Sequence, residues 1–193
     1  MTGKCVQTGF TLIEVLVTFL LTAIGLLGLA SLQVNTINNG FEAQQRALVT
    51  TLVDDMAERV RMNPVGALEN FQSFDSETPC PAVDVNAEAL TPELRAGWDK
   101  CQWAATLRGL SVKTTSDGTR GLGAPIGAMG CLGTSTRPGA EVVVRVAVAW
   151  QGLTPQVAPF ASCGTGVFTN ADLGAPTVDE SFRRVVYRDV VVR

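Results

Sequence analysis

The sequence predicts an α+β chain: a long N-terminal helix, membrane-length in its first half and amphipathic in its second, packed on a small antiparallel sheet. Three observations predict it. Residues 10–34 form an apolar run interrupted by a single charge, Glu14. After it, apolar residues recur at helical spacing as far as Asn63-Pro64. Beyond that point two β-rich stretches follow, 141–150, where large apolar residues alternate with charged or small ones, and 182–192. Helix first, then a meandering sheet, is an α+β order.

The apolar run comes first in the argument. At ~1.5 Å of rise per residue, about 25 residues cross a ~30 Å hydrocarbon layer. The segment before it, residues 1–9, is short and polar with one basic residue, Lys4, which favours an orientation with the N-terminus in the cytoplasm. Two ordinary explanations fit the run. A secretory signal peptide would be cut at the small-residue site Gly28-Leu29-Ala30, leaving a chain that starts at Ser31. A plain single-pass anchor would not be cut. Glu14 weighs against both, because a carboxylate in a spanning helix costs about 2.5–3.5 kcal/mol on insertion scales and calls for a use.

The run Gly9-Phe10-Thr11-Leu12-Ile13-Glu14 resembles the processing motif of type IV prepilins and type II secretion pseudopilins. The resemblance covers the N-terminal fifth of the chain, and its signature is specific. It implies that a dedicated prepilin peptidase cuts between Gly9 and Phe10, methylates the new amino group of Phe10, and leaves Glu14 as the assembly carboxylate. It also implies a pilin-like fold, with residues 1–9 as leader, 10–34 as transmembrane and assembly helix, 35–63 as amphipathic continuation and 64–193 as head. A buried carboxylate seeks a cation. By resemblance, that cation is the Phe10 amine of a neighbouring subunit.

Within that group three roles compete. A major pilin of the family usually carries one disulfide loop near its C-terminus and a proline in the membrane helix, whereas this chain has no proline before Pro64. A small tip pseudopilin would be shorter. The stretch Glu14-Val15-Leu16-Val17, followed by Ala23-Ile24-Gly25-Leu26-Leu27-Gly28-Leu29-Ala30 and Gln33, is most similar to minor pilins of the pilus-modification type. That similarity implies a tip subunit that primes filament assembly and supports twitching motility and adhesion. Its implied partners are other minor pilins, the major pilin, a tip adhesin, the prepilin peptidase and the inner membrane. It implies residence in the inner membrane with the head in the periplasm, then in the pilus at the cell surface. The alternatives are a minor pseudopilin of a type II secretion system and, in another class, a membrane-anchored exported binding domain.

The helix is expected to continue with Phe41, Leu48, Leu52, Met56 and Val60 on one stripe. Glu42, Gln44, Gln45, Arg46, Asp54, Asp55, Glu58 and Arg59 take much of the remaining surface. Asn38-Asn39-Gly40 is the place where it could bend. Gly25 and Gly28 either permit close helix contact or mark a stretch that melts. Pro64 disfavours helical geometry at Asn63 and ends the element.

Residues 65–90 read as loop. Thr91-Pro92 then gives a cap and a proline at the first helical position, opening a short helix with Trp98, Cys101 and Trp103. Residues 110–115 are a short strand candidate, and the glycine-rich 121–133 reads as a loop that returns into a strand near Cys131. In the strand over 141–150 the even positions are large and apolar and should face the helix. Residues 151–178 read as loop.

Cysteine usage points to export. Cys5 lies in the leader; Cys80, Cys101, Cys131 and Cys163 remain, an even set that oxidises to two disulfides with three possible connectivities. Pairing of sequence neighbours would give Cys80–Cys101 and Cys131–Cys163. The chain has no histidine, the commonest general base and metal ligand. No catalytic residue, metal site or cofactor is expected. The 121–133 loop lacks the Gly-Lys-Ser/Thr of a phosphate cradle. Asp84, Asn86 and Glu88 lack the loop of a calcium site. A net charge of −3 gives no reason to expect nucleic acid. Arg183, Arg184, Arg188 and Arg193 read as a charged strand edge that discourages aggregation.

Overall fold

The computed structural model describes residues 9–64, 91–109, 123–136, 141–170 and 177–192. The chain forms two compact units, Met1–Phe41 and Glu42–Arg193.

A single helix, α1, runs over Leu12–Met62. It passes through Asn38-Asn39-Gly40 without a break. The propensity cost of asparagine and glycine, ~0.5–1 kcal/mol each, does not end a helix already propagating on both sides. It starts where the Thr11 carbonyl accepts from the N–H groups of Glu14 (3.1 Å) and Val15 (3.4 Å). It stops at Asn63, as expected from Pro64, and Asn63 Nδ2 donates to the Pro92 carbonyl at 2.7 Å.

In the first unit the helix is long and apolar enough to cross a membrane, and no part of its apolar window is buried. The threonine hydroxyls along it need no outside partner. Thr18 donates to the Val15 carbonyl, Thr22 to Thr18 and Thr36 to Leu32. A spanning helix must satisfy its polar groups internally in this way.

In the second unit, α2 covers Pro92–Leu107 and is longer than the short helix expected. Thr91 caps it through its side chain, which accepts from Leu94 N. The main sheet has three strands in the order β1 (Met129–Thr136), β2 (Val142–Gln151), β5 (Arg183–Val192), both pairings antiparallel. A small hairpin pairs β3 (Thr169–Asn170) with β4 (Thr177–Val178) inside the stretch read as loop. The strand candidate at 110–115 lies outside the described residues, as do the 65–90 loop and its Asp84, Asn86 and Glu88.

The even positions of β2 face the helices. Val144, Val146, Val148 and Trp150 join Val49, Val53, Met56, Ala57, Val60, Trp103 and Leu107 in one buried cluster. The expected stripe on α1 is half right. Leu52, Met56 and Val60 are buried, but Phe41 is exposed, and Gln45, placed on the polar face by its side chain, is buried. Its Oε1 accepts from Ile126 N at 3.1 Å, which supplies the partner a buried amide needs.

Two contacts set how closely α2 approaches. Trp103 Nε1 donates to the Leu52 carbonyl at 2.9 Å across the core. A Cβ on Gly130 would stand 2.4 Å from Trp103 Cζ3 and 2.7 Å from Leu107 Cδ1. Only glycine lets β1 and α2 meet there. The other face of the sheet is covered too: Ala147 and Ala149 pack with Cys163 and Phe168. The residues at those two positions are small because the 163–168 segment lies directly on them. Gly164, at φ +71°, comes so near that a Cβ there would meet Ala149 Cβ at 2.7 Å.

Candidate functional site

Two groups of residues stand out, one in each unit. In the first, Gly9 and Phe10 precede α1, and Phe10 is exposed. Glu14 occupies the first turn of α1, where the unpaired N–H groups of a helix start favour negative charge. Its side chain is exposed, and among the described residues its carboxylate has no hydrogen-bond or ion-pair partner. From Leu12 to Ile37 the large aliphatic and aromatic side chains are all exposed. A Cβ on Gly25 or Gly28 would meet nothing within 4 Å. The segment therefore presents a carboxylate and a continuous apolar surface, neither used within its own unit.

Residues 5–30 match the family model described as the prokaryotic N-terminal methylation motif. This is a type IV pilin-like prepilin signal. The match encloses Gly9, Phe10 and Glu14. No curated protein matches the chain, and no solved structure does. The motif belongs to structural proteins rather than enzymes, and with the long apolar helix it fits an inner-membrane anchor that later enters a filament.

The cysteines lie in the second unit. Cys131 on β1 is bonded to Cys163, which ties the 163–168 segment to the sheet. Cys101 is buried on α2 and is disulfide-bonded as well. Cys80 lies outside the described residues.

The second group was not foreseen. Glu42, the first residue of the second unit, accepts from Leu153 N (3.0 Å), Thr154 N (3.1 Å), Thr154 Oγ1 (3.0 Å) and Gln156 Nε2 (3.3 Å). Arg184 Nη2 reaches the same carboxylate at 3.4 Å. Burial would raise the Glu42 carboxyl, but the Thr154 N–H and hydroxyl, the Arg184 charge and the Leu153 N–H outweigh it. Together they hold it below the usual carboxylate value.

Arg183 and Arg184 correct the sequence reading. They are not an exposed edge but are buried, 5% and 7% exposed. Arg183 bonds Glu180 and the carbonyls of Ala161, Cys163 (3.0 Å) and Pro159 (3.0 Å). Arg184 bonds the carbonyls of Thr154 and Ser181 (2.8 Å). The guanidinium fork, with five fixed donors, suits a loop whose carbonyls converge from several sides. A Cβ on Gly152 would press on Arg184 Cζ at 2.7 Å, so this glycine makes room for the group. Arg188 does face outward, 2.9 Å from Asp54 Oδ1, an ion pair without the angle of a hydrogen bond.

The sequence held one signal for this group: Glu42 is the first charged residue after Glu14. Nothing in it pointed to Arg183 and Arg184 as interior residues.

Proposed function

We propose that the chain is a minor pilin of the PilV type, the pilus modification protein, which primes a type IV pilus and sits at its tip. The observation that carries this reading is the methylation motif over residues 5–30. In this reading residues 1–9 are the leader, 10–34 span the inner membrane, 35–63 lead into the head and 64–193 complete it in the periplasm. Prepilin peptidase cuts after Gly9 and methylates Phe10. Glu14 pairs with the amine of a neighbour already in the filament, so that both charges are neutralised as the subunit leaves the lipid. The exposed apolar surface of residues 12–37 then exchanges lipid for the helices of other minor pilins and the major pilin. The head carries a second disulfide between Cys101 and Cys80, and contacts a tip adhesin.

Intact mass and N-terminal peptide analysis of the protein from its native membrane tests this. A mature chain that starts at Phe10 with one added methyl group is the expected result. A start at Ser31, or an unprocessed Met1 form, overturns it. The same motif serves minor pseudopilins of type II secretion. Affinity isolation of the cross-linked filament separates the two machines, since a pilus yields major pilin and a secretion complex yields secretion components.

A further inference from the structure

The Glu42 cluster forms part of the wall of a cavity of about 250 Å³ that lies wholly within the second unit. Glu42, Ala43, Arg46, Trp150, Gln156 and Arg184 line it. Several donors in this wall bond nothing. Trp150 is 2% exposed, and among the described residues its indole N–H has no hydrogen-bond partner. Arg46 is exposed, and its guanidinium has no hydrogen-bond or ion-pair partner among the same residues. Arg184 Nε is buried and unpaired as well. Donors on buried side chains are normally bonded, and an exception calls for an acceptor. The one carboxylate in the wall is already engaged. Glu42 Oε1 takes Leu153, Thr154 and Arg184, and Oε2 takes Gln156. Two guanidinium groups therefore stand against one carboxylate, and the surplus positive charge sits at Arg46.

The chemistry of the wall names the occupant. An indole N–H beside a free guanidinium suits a carboxylate, which can accept from both at once. Volume limits what carries that carboxylate, since drug-sized ligands fill pockets of ~300–1,000 Å³. A cavity below that range takes a group the size of one amino-acid side chain. The residues beside it are apolar: Val157, 93% exposed, follows Gln156 directly, and Leu153, 42% exposed, donates to Glu42. Their loop is held in place, with Gln156 N donating to the Ser181 carbonyl at 2.8 Å and Arg184 bonding the Thr154 carbonyl. A free small carboxylate would leave those apolar side chains uncovered. We propose that the cavity is a socket for another protein chain, one of whose Asp or Glu side chains enters it. The acid pairs with Arg46 and accepts from Trp150 Nε1, while an apolar neighbour of the acid packs on Val157 and Leu153. The socket belongs to the second unit alone and holds whether or not the chain enters a filament.

Two measurements on the full chain test the socket. In the first, the chain carries isotope-labelled tryptophan in detergent micelles, and its three indole N–H signals are followed by NMR. N-acetyl-glutamate methylamide is the probe, and the neutral N-acetyl-glutamine methylamide is its control. The Trp150 signal is expected to shift saturably with the acid and to stay in place with the amide. Arg46→Gln, on an exposed side chain that bonds nothing, is expected to weaken the response several-fold with the fold intact. No shift at Trp150, an equal shift with the neutral probe, or an unchanged response in Arg46→Gln would overturn the site. In the second, cells making the Arg46→Lys variant are treated with a carbodiimide, which joins an amine to a carboxylate in contact with it. The lysine introduced by Arg46→Lys is expected to form an amide with an Asp or Glu of a second chain. Mass spectrometry should map that acid beside an apolar residue, and the unsubstituted chain should give no such product. An amide to Glu42 alone, or no amide while the probe still binds, would overturn the protein source in favour of a free carboxylate.

Discussion

The two units of this chain use apolar residues in opposite ways. Between Leu12 and Ile37 the large apolar side chains are all exposed, whereas the second unit forms two buried apolar clusters, one on each face of the sheet. The polar groups differ in the same sense. Glu14 in the anchor has no partner among the described residues, while Glu42 in the head has bonding groups on both carboxylate oxygens. A unit complete in itself saturates its donors and buries its apolar surface. A unit designed to meet lipid or other helices leaves both open. The anchor is thus read through what it lacks, and the head through what it already holds.

The sharpest way to break this contrast is to mutate each unit and look for effects in the other. Gly9→Val is expected to block processing completely, leaving the full-length precursor in the membrane on an immunoblot, with the head's melting temperature unchanged. Glu14→Val should be processed normally but be absent from sheared filaments. A loss of head stability in either variant would show that the units are not independent.

Gly130→Val is the converse. It forces a side chain into Trp103 and Leu107 and should cost the head about 3 kcal/mol, read by urea unfolding, with processing at Gly9 unaffected. Gly28→Val, where a Cβ meets open space, should leave the same unfolding curve in place.

A smaller effect is expected from the Glu42 cluster. Arg184→Met removes donors to Glu42 and Thr154 and should cost about 2 kcal/mol. The cluster also sets a pH dependence. The folded Glu42 carboxyl lies below the ordinary 4.5, so its contribution is complete above pH 4.5 and is lost as the pH falls through the lower, folded value. Glu42→Gln should flatten that part of the acid-unfolding profile. An unchanged profile would mean that other carboxylates dominate it.

The smallest effect belongs to the exposed pair on the outer face. Arg145 bonds Asp189 at 2.7 and 2.8 Å and stacks over Tyr187 at 4.7 Å. Solvent screening should hold a double-mutant coupling for Arg145 and Asp189 to about 0.5 kcal/mol, falling further in high salt.

How far the sequence could be read depended on whether the signal was local. The cap at Thr91-Pro92, the stop at Asn63-Pro64 and the inward face of β2 were all legible, because each rests on neighbours a few residues apart. The Cys131–Cys163 bridge belongs to one of three open connectivities, the pairing of sequence neighbours, and only the fold selects it. Gln45 misled because an amide reads as surface until a distant N–H, here that of Ile126, comes to meet it. Arg183 and Arg184 misled for the same reason, since the carbonyls of Pro159, Ala161, Cys163 and Thr154 that they bond lie some twenty to thirty residues away.

By itself the sequence determined the prepilin signal, the apolar helix with its one carboxylate, and the α+β order of the head. Those are properties of composition and short-range spacing, which act before any distant contact forms. The tertiary structure decided which polar residues are interior, why Gly130 and Gly164 must be glycine, and how Glu42, Arg183 and Arg184 come to bind the loop of residues 153–163. These depend on segments far apart in the chain meeting within a few ångströms, and no local pattern encodes such a meeting.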